Sequence, residues 1–599
     1  MVHPYRRVPA RAAAIAAAAA AALLAGCIGG GGEVRPQDAG GEDIFGAIAT
    51  DRSRYDPGEP VRFTLRLNET GPPQGELLVR YRQLDAIVEE ANIDVAGRDE
   101  VQWEWRPPKD DFTGYMAEVY FRAGSDVLDH VNIAVDVSSD WGKFPRYGYL
   151  ADYMDMAPKE QEAVIERLNR FHINGIQFYD WQWKHHIPLR MENGRPAERW
   201  REIANRDVSL ETVRRYIDLA HEKNMKAMNY NLLFGAYEDA ANDGVRREWG
   251  MFKDPLATTQ DKHPLPDSWA SDIMLMDPSN DDWKRYLFEQ ERTVFEHLPF
   301  DGWHVDQLGD RGTLWNAASK KIDLGAAYLD FLRDAKQAID VEYVFNAVGQ
   351  FGQAYIAQAP VKFLYTEVWS GHPQYKHLKD IVDQNAKLSK GRLNTVLAAY
   401  MNYDRADSPG EFNAPGVLLT DAVMFASGAS HLELGENMLA KEYFPNRNLS
   451  IPAALEERLI RYYDFLVAYQ NVLRDSVEDL GREAAAIDGA ELSSAAEQGK
   501  VWTFAKRKKD MDVHHFINFS DAVHMQWNDA NATQTEPGTI ADIRLSVPTR
   551  GKAVKVWTAS PDRYEGSPIE LDFKQEGDVL TVVLPELQYW NMLIIEYSS

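Results

Sequence analysis

Two acids lie at matching places in two short extended runs. Asp306 closes Gly302-Trp303-His304-Val305-Asp306, and Glu367 lies in Phe363-Leu364-Tyr365-Thr366-Glu367-Val368-Trp369. Alternate side chains of a strand share a face. His304 and Asp306 therefore fall on one side and Val305 on the other, while Tyr365 and Glu367 oppose Leu364 and Val368. If the apolar faces pack on helices, the two carboxylates converge over one mouth. Such a pair is the minimum kit for breaking a glycosidic bond: one group stays ionised to attack the anomeric carbon, and the other holds a proton for the leaving oxygen. A carboxyl separation of about 5 Å would give retention and roughly 6.5–9.5 Å inversion. A lone Asp at a strand end serves equally well as a helix cap or loop ion pair; the matched pair favours chemistry.

The elements needed to hold such a pair are legible between Trp141 and Leu473. Eight strand candidates occur: Tyr147 to Leu150, Gly175 to Trp181, Lys226 to Phe234, Gly302 to Gly309, Tyr343 to Gly349, Phe363 to Trp369, Asn394 to Met401 and Ala422 to Gly435. Helical stretches alternate with them. Pro158 to Phe171 starts with Pro in its first turn and puts Val164, Ile165, Leu168 and Phe171 on one face. Leu210 to His221 and Trp283 to Phe295 are similar. This alternation predicts a (β/α)8 TIM-type barrel over residues 141–480, with catalytic groups at the C-terminal strand ends. Residues 44–140 predict an Ig-like β-sandwich, led by the strict alternation of Val61 to Leu67, and residues 481–599 a C-terminal β-sandwich.

Further strand-end residues are candidate substrate contacts, since sugars are held by hydrogen bonders and flat aromatic faces. These are Tyr179, Asp180 and Trp181 on the second strand, Tyr230 and Asn231 on the third, and Asn346 on the fifth. Trp369 ends the sixth, and His431 and Glu433 lie near the end of the eighth. For each, a structural role is the alternative.

Composition narrows the field. The 599 residues carry a net charge of −27, which argues against a nucleic-acid partner. No His-Glu-x-x-His motif, phosphate loop or Gly-x-Ser-x-Gly elbow occurs, and the adjacent His185 and His186 have no carboxylate spacing to support a metal. No cofactor is expected. The N-terminus has an export pattern: Arg6, Arg7 and Arg11 precede the apolar run Ala12 to Leu24. Leu23-Leu24-Ala25-Gly26-Cys27 resembles a bacterial lipobox, and Cys27 is the only cysteine. Residues 1–27 are thus expected to be a lipoprotein signal with Cys27 lipidated, residues 28–43 a flexible tether, and the protein membrane-anchored on the extracytoplasmic face.

Four stretches resemble glycoside hydrolase family 66, the dextranases and cycloisomaltooligosaccharide glucanotransferases. Gly302 to Asp310 is similar to the family's nucleophile strand, Tyr365 to Trp369 to its acid/base strand, and Asn174 to Trp181 to its second strand. Asp421 to Ser450 gives the longest match. The resemblance implies retaining endo-cleavage of α-1,6-linked glucan, with Asp306 as nucleophile and Glu367 as acid/base. The glucanotransferases carry an extra carbohydrate-binding insertion in the barrel. The longest interval here, Gly235 to Asp301, shows loop signals and then a helix, which favours hydrolysis over cyclisation. The alternatives are a cycloisomaltooligosaccharide glucanotransferase, a hydrolase of another α-glucan, and a non-catalytic glucan-binding lipoprotein.

Overall fold

The computed structural model describes residues 34–68, 75–95, 97–481 and 483–598. The signal and lipobox expected at the N-terminus, and the first part of the tether, residues 28–33, lie outside them.

Eight parallel strands form the central sheet: β1 Tyr147–Leu150, β2 Gly175–Phe178, β3 Lys226–Leu232, β4 Gly302–Asp306, β5 Glu342–Val348, β6 Leu364–Glu367, β7 Thr395–Ala398 and β8 Ala429–Leu432. Each pairs with its sequence neighbour. Tyr149 N–H donates to the Leu434 carbonyl at 3.1 Å, joining the exit of β8 to β1. Gly435 permits this approach, because a Cβ there would meet the Tyr149 carbonyl at 2.5 Å. Helices follow the strands: α1 Pro158–Arg170, α2 Leu210–Glu222, α3 Asp281–His297, α4 Leu324–Ala338, the single turn α5 Gln353–Ile356, α6 Tyr375–Ser389, α7 Ala414–Ser427 and α8 Ala453–Ala468. The fold is a (β/α)8 barrel.

Most expected strands end two or three residues early, and the largest departure from the sequence expectation is at the eighth strand. Ala422 to Ser427 belongs to α7, not to the eighth strand. The helix is buried from Gly416 to Ser427, so it lacks the polar stripe that marks a helical period, and a short apolar run fits either state. Gly428, at φ 98°, ends it in the left-handed conformation typical of a helix stop.

The barrel axis is filled by rings. Tyr147 stacks on His304 at 5.7 Å, His304 meets Tyr365 edge-on at 5.1 Å, and Trp141 meets Phe363 edge-on at 5.3 Å. Such pairs contribute about 0.5–1.5 kcal/mol each beyond their burial, and His304 and Tyr365 form part of the floor below the strand ends. Val305 and Phe345 face outward into a cluster with Phe331 and Leu332 of α4.

β-Sandwiches flank the barrel. In the N-terminal one, strands Phe45–Thr50, Val61–Leu67 and Glu100–Trp105 cover the sheet formed by Glu76–Gln83, Ala86–Asp94, Thr113–Ala123 and Asp126–Val137. Val61, Phe63, Leu65 and Leu67 are buried in their common core, as their alternation requires. Asp136 at its edge forms a fully buried ion pair with Arg146 just ahead of β1, at 2.7 Å, and accepts from Gln470 beyond α8. The C-terminal sandwich packs Phe516, Leu593 and Ile595 of one sheet against Ile543, Leu545 and Leu580 of the other. Within the Gly235 to Asp301 interval, Gly235–Tyr237, Lys262–His263 and Ile273–Leu275 pair into a small antiparallel sheet over the barrel rim. Among the described residues no helix is long and apolar enough to cross a membrane.

Candidate active site

The C-terminal strand ends open into a cavity of about 530 Å3 lined by both acids. Asp306 reaches it from the last position of β4, and Glu367 from the last position of β6. Between them stands Asn346 of β5, whose Nδ2 donates to Asp306 Oδ1 at 2.8 Å and to Glu367 Oε2 at 2.9 Å. These two oxygens can be no farther apart than the two bonds laid end to end, which is less than the roughly 6.5 Å at which the inverting range begins.

The two carboxyls have different surroundings. Asp306 also accepts from the Tyr230 hydroxyl at 2.6 Å and from the Gln307 amide at 2.8 Å. Burial raises its pKa, and these three donors oppose the rise by stabilising the anion. Glu367 accepts from the Tyr400 hydroxyl and from Asn346. Burial, followed by the nearby Asp306 charge, raises its carboxyl to about 7 against those bonds. One acid is thus surrounded by donors that favour its anion, and the other is set to hold a proton near neutrality.

The walls are aromatic. Tyr179 stacks on Phe444 at 4.2 Å, Trp369 lies 5.5 Å from Tyr400, and Trp269 lies 5.6 Å from Tyr443 across the rim. The Trp369 side chain also donates toward Glu367, while the buried Asn346 Oδ1 has no hydrogen-bond partner in the protein. Asp180 lines the same cavity. Its backbone is left-handed at φ 47°, which turns it away from the outward direction that strand alternation would give it. Burial raises its carboxyl to about 6, while the Arg206 charge opposes that rise.

The structure therefore gathers Tyr179, Asp180, Tyr230, Asp306, Asn346, Glu367 and Trp369 around one space. It places four other candidates behind the barrel wall. Trp181 is fully buried and donates to Asn229 Oδ1 at 2.8 Å. Asn231 follows the inward Tyr230, so alternation turns it outward, where its Nδ2 donates to Glu291 of α3 at 2.6 Å. His431 faces α7, with Nδ1 2.8 Å from Asp421 Oδ1, and Glu433 accepts from Tyr463 of α8 at 2.9 Å. None of the four lines the cavity. Their residue types suited sugar binding, but their direction did not.

Tyr400 was missed, although the alternation that placed Glu367 would have found it: Ala398 and Tyr400 share the axial face of β7. Trp269, Tyr443 and Phe444 come from loops, where no periodicity marks them. Two His/Asp/Glu clusters occur among the described residues, His186–Asp239–Asp243 and Asp421–His431–Glu433. The first already holds its own cation, since Lys184 Nζ lies 2.9 Å from both Asp239 and Asp243.

Relatives share this architecture. A cycloisomaltooligosaccharide glucanotransferase of Niallia circulans is 26% identical over 704 aligned positions, covering 92% of this chain and 72% of its own. A dextranase of Streptococcus salivarius is 24% identical, covering 81% and 68%. The crystal structure of a Paenibacillus sp. cycloisomaltooligosaccharide glucanotransferase complexed with cycloisomaltoheptaose superposes with a TM-score of 0.87 at 27% identity, covering 92% of this chain and 99% of that one. The glycosyl hydrolase family 66 profile matches residues 50–594, nearly the whole chain, and this protein belongs to that family.

Proposed function

We propose that this protein is a dextranase-like retaining hydrolase that cuts internal α-1,6 bonds of dextran or isomaltooligosaccharides. Asp306 attacks the anomeric carbon as the C–O bond breaks, forming a β-linked glycosyl-enzyme. Glu367 gives its proton to the leaving oxygen, then takes one from the water that releases the sugar. The observation that carries this reading is the Asn346 amide, which touches both carboxylates and so holds one oxygen of each closer together than the separation at which the inverting range begins. The pKa of Glu367, near 7, suits a group that must act as acid and then as base.

The choice of hydrolysis over cyclisation rests on the longest interval within the barrel, Gly235 to Asp301, which holds a small three-stranded sheet, short turns and α3 and, among the described residues, no added β module. The alignment to the Niallia glucanotransferase spans 704 positions, more than the 599 residues of this chain, so that relative carries segments missing here. The test is to incubate the protein with dextran, starch, pullulan and a β-glucan and follow new reducing ends. Linear isomaltooligosaccharides from dextran alone are expected. Cyclic products would assign a glucanotransferase, release from another glucan would discard the linkage, and inactivity on all four would favour a glucan-binding protein.

Lipid anchoring at Cys27 on the extracytoplasmic face is part of the same proposal, supported by the charged and apolar pattern ahead of a solitary cysteine. Replacing Cys27 with Ala should move the protein from the membrane fraction to the soluble one; unchanged membrane association would reject the anchor.

A further inference from the structure

His431 does not face the cavity, yet its ring lies against the backbone that carries a cavity residue. Its Nε2 lies 2.9 Å from the Ala399 carbonyl, just past the end of β7. A carbonyl only accepts, so Nε2 carries the proton. Ala399 is followed by Tyr400, whose hydroxyl donates to Glu367 Oε1. On the other side of Ala399, the Ala398 carbonyl accepts from the Val368 amide at 2.9 Å, next to Glu367 itself. The chain leading into Tyr400 is thus held at two successive carbonyls, one by the exit of β6 and one by His431.

The ring is fixed in turn. Asp421 of α7 lies 2.8 Å from Nδ1, and Glu433 at the exit of β8 lies 3.3 Å from it. Tyr463 of α8 donates to Glu433 at 2.9 Å. His431, Asp421, Glu433 and Tyr463 are all fully buried. We propose that His431 is a positioning residue for the acid/base: through the Ala399 carbonyl it orients Tyr400, and Tyr400 sets the proton affinity of Glu367. The inference rests on Glu367 being the acid/base.

Two effects act on the charge of the ring. Burial opposes the imidazolium, but Glu433 and Asp421 outweigh it and raise the ring to about 10. His431 therefore keeps its Nε2 proton across neutral pH and does not itself produce a limb there. The Tyr400 hydroxyl lowers the pKa of Glu367 by stabilising its anion, so a misplaced Tyr400 raises it.

Two substitutions separate positioning from simple packing. His431→Gln can extend its amide to the Nε2 position and keep the Ala399 bond. His431→Asn places its amide near the Nδ1 position and loses that bond. The Asn variant is expected to move the basic limb of kcat/KM upward by about half a pH unit and lower kcat about tenfold with little change in KM, while the Gln variant stays near wild type. Tyr400→Phe should shift the limb in the same direction, and adding His431→Asn to it should shift it no further. Equal effects of Asn and Gln, an unmoved limb in the Asn variant, or a further shift in the Tyr400→Phe background would overturn the proposal. Should the Asn variant fail to fold, 15N spectra of the wild-type histidines decide, with His431 assigned by its loss in the Gln variant. An Nε2 without a proton between pH 6 and 8 would refute the contact. A basic limb that survives Glu367→Gln would instead reject the acid/base assignment, and the positioning role with it.

Discussion

Asp306→Ala is expected to lower kcat on dextran by roughly 10^4-fold or more, with the fold unchanged. The size follows from what the side chain does. In the proposed mechanism it forms the covalent bond of the first step, and no remaining group in the cavity would substitute at the same position. Tyr230 and Asn346 would still point at the gap, and their donors would be left for water. Because Asp306 lies at the cavity mouth and not in the barrel core, circular dichroism and the unfolding temperature should stay close to wild type. Added azide should enter the space and attack an activated α-glycosyl fluoride directly, giving the β-azide. The α-azide from this variant would mean that another group had formed the intermediate.

Glu367→Gln should cost about 10^2–10^4-fold in kcat on dextran, the usual worth of a general acid, and far less on the glycosyl fluoride, whose leaving group needs no proton. The pH dependence gives the sign. Only the protonated carboxyl can act in the first step, so kcat/KM on dextran should fall as pH rises through about 7, and the Gln variant should lose that limb. In Glu367→Ala the glycosyl-enzyme is expected still to form on Asp306, and azide attacking its opposite face should then give the α-azide. Opposite products from the two variants would exchange the two roles.

Much of this site was legible because one rule governs it. Alternation along β4 and β6 put Asp306 and Glu367 on the axial face, and apolar partners such as Val305 and Leu364 lie among the outward clusters. The same rule separates Tyr230 from Asn231. It stops working where strands end: the left-handed Asp180 breaks the alternation, bringing that carboxyl inward and leaving Trp181 in the wall. At β8 a fully buried helix hid the true start of the strand, so His431 and Glu433 were expected at the mouth while they hold α7 and α8 from behind. The rim was illegible for a different reason. Trp269 and Tyr443 meet across loops brought together by the small sheet of Gly235–Tyr237, Lys262–His263 and Ile273–Leu275 and by the chain beyond β8, and nothing local in the sequence encodes that meeting. The flanking sandwiches were legible from strand patterns, whereas the buried Asp136–Arg146 pair between one of them and the barrel depends on the finished fold.

The most direct test of the central claim is the anomeric configuration of the first product. Dextran or a long isomaltooligosaccharide is mixed with the wild-type protein and followed by proton NMR before mutarotation sets in. A nucleophile on one face and an acid/base on the other, as close as Asn346 holds them, predict that new reducing ends appear first as the α-anomer and convert slowly to β. An initial β-anomer would mean a single displacement by water and would contradict a glycosyl-enzyme on Asp306.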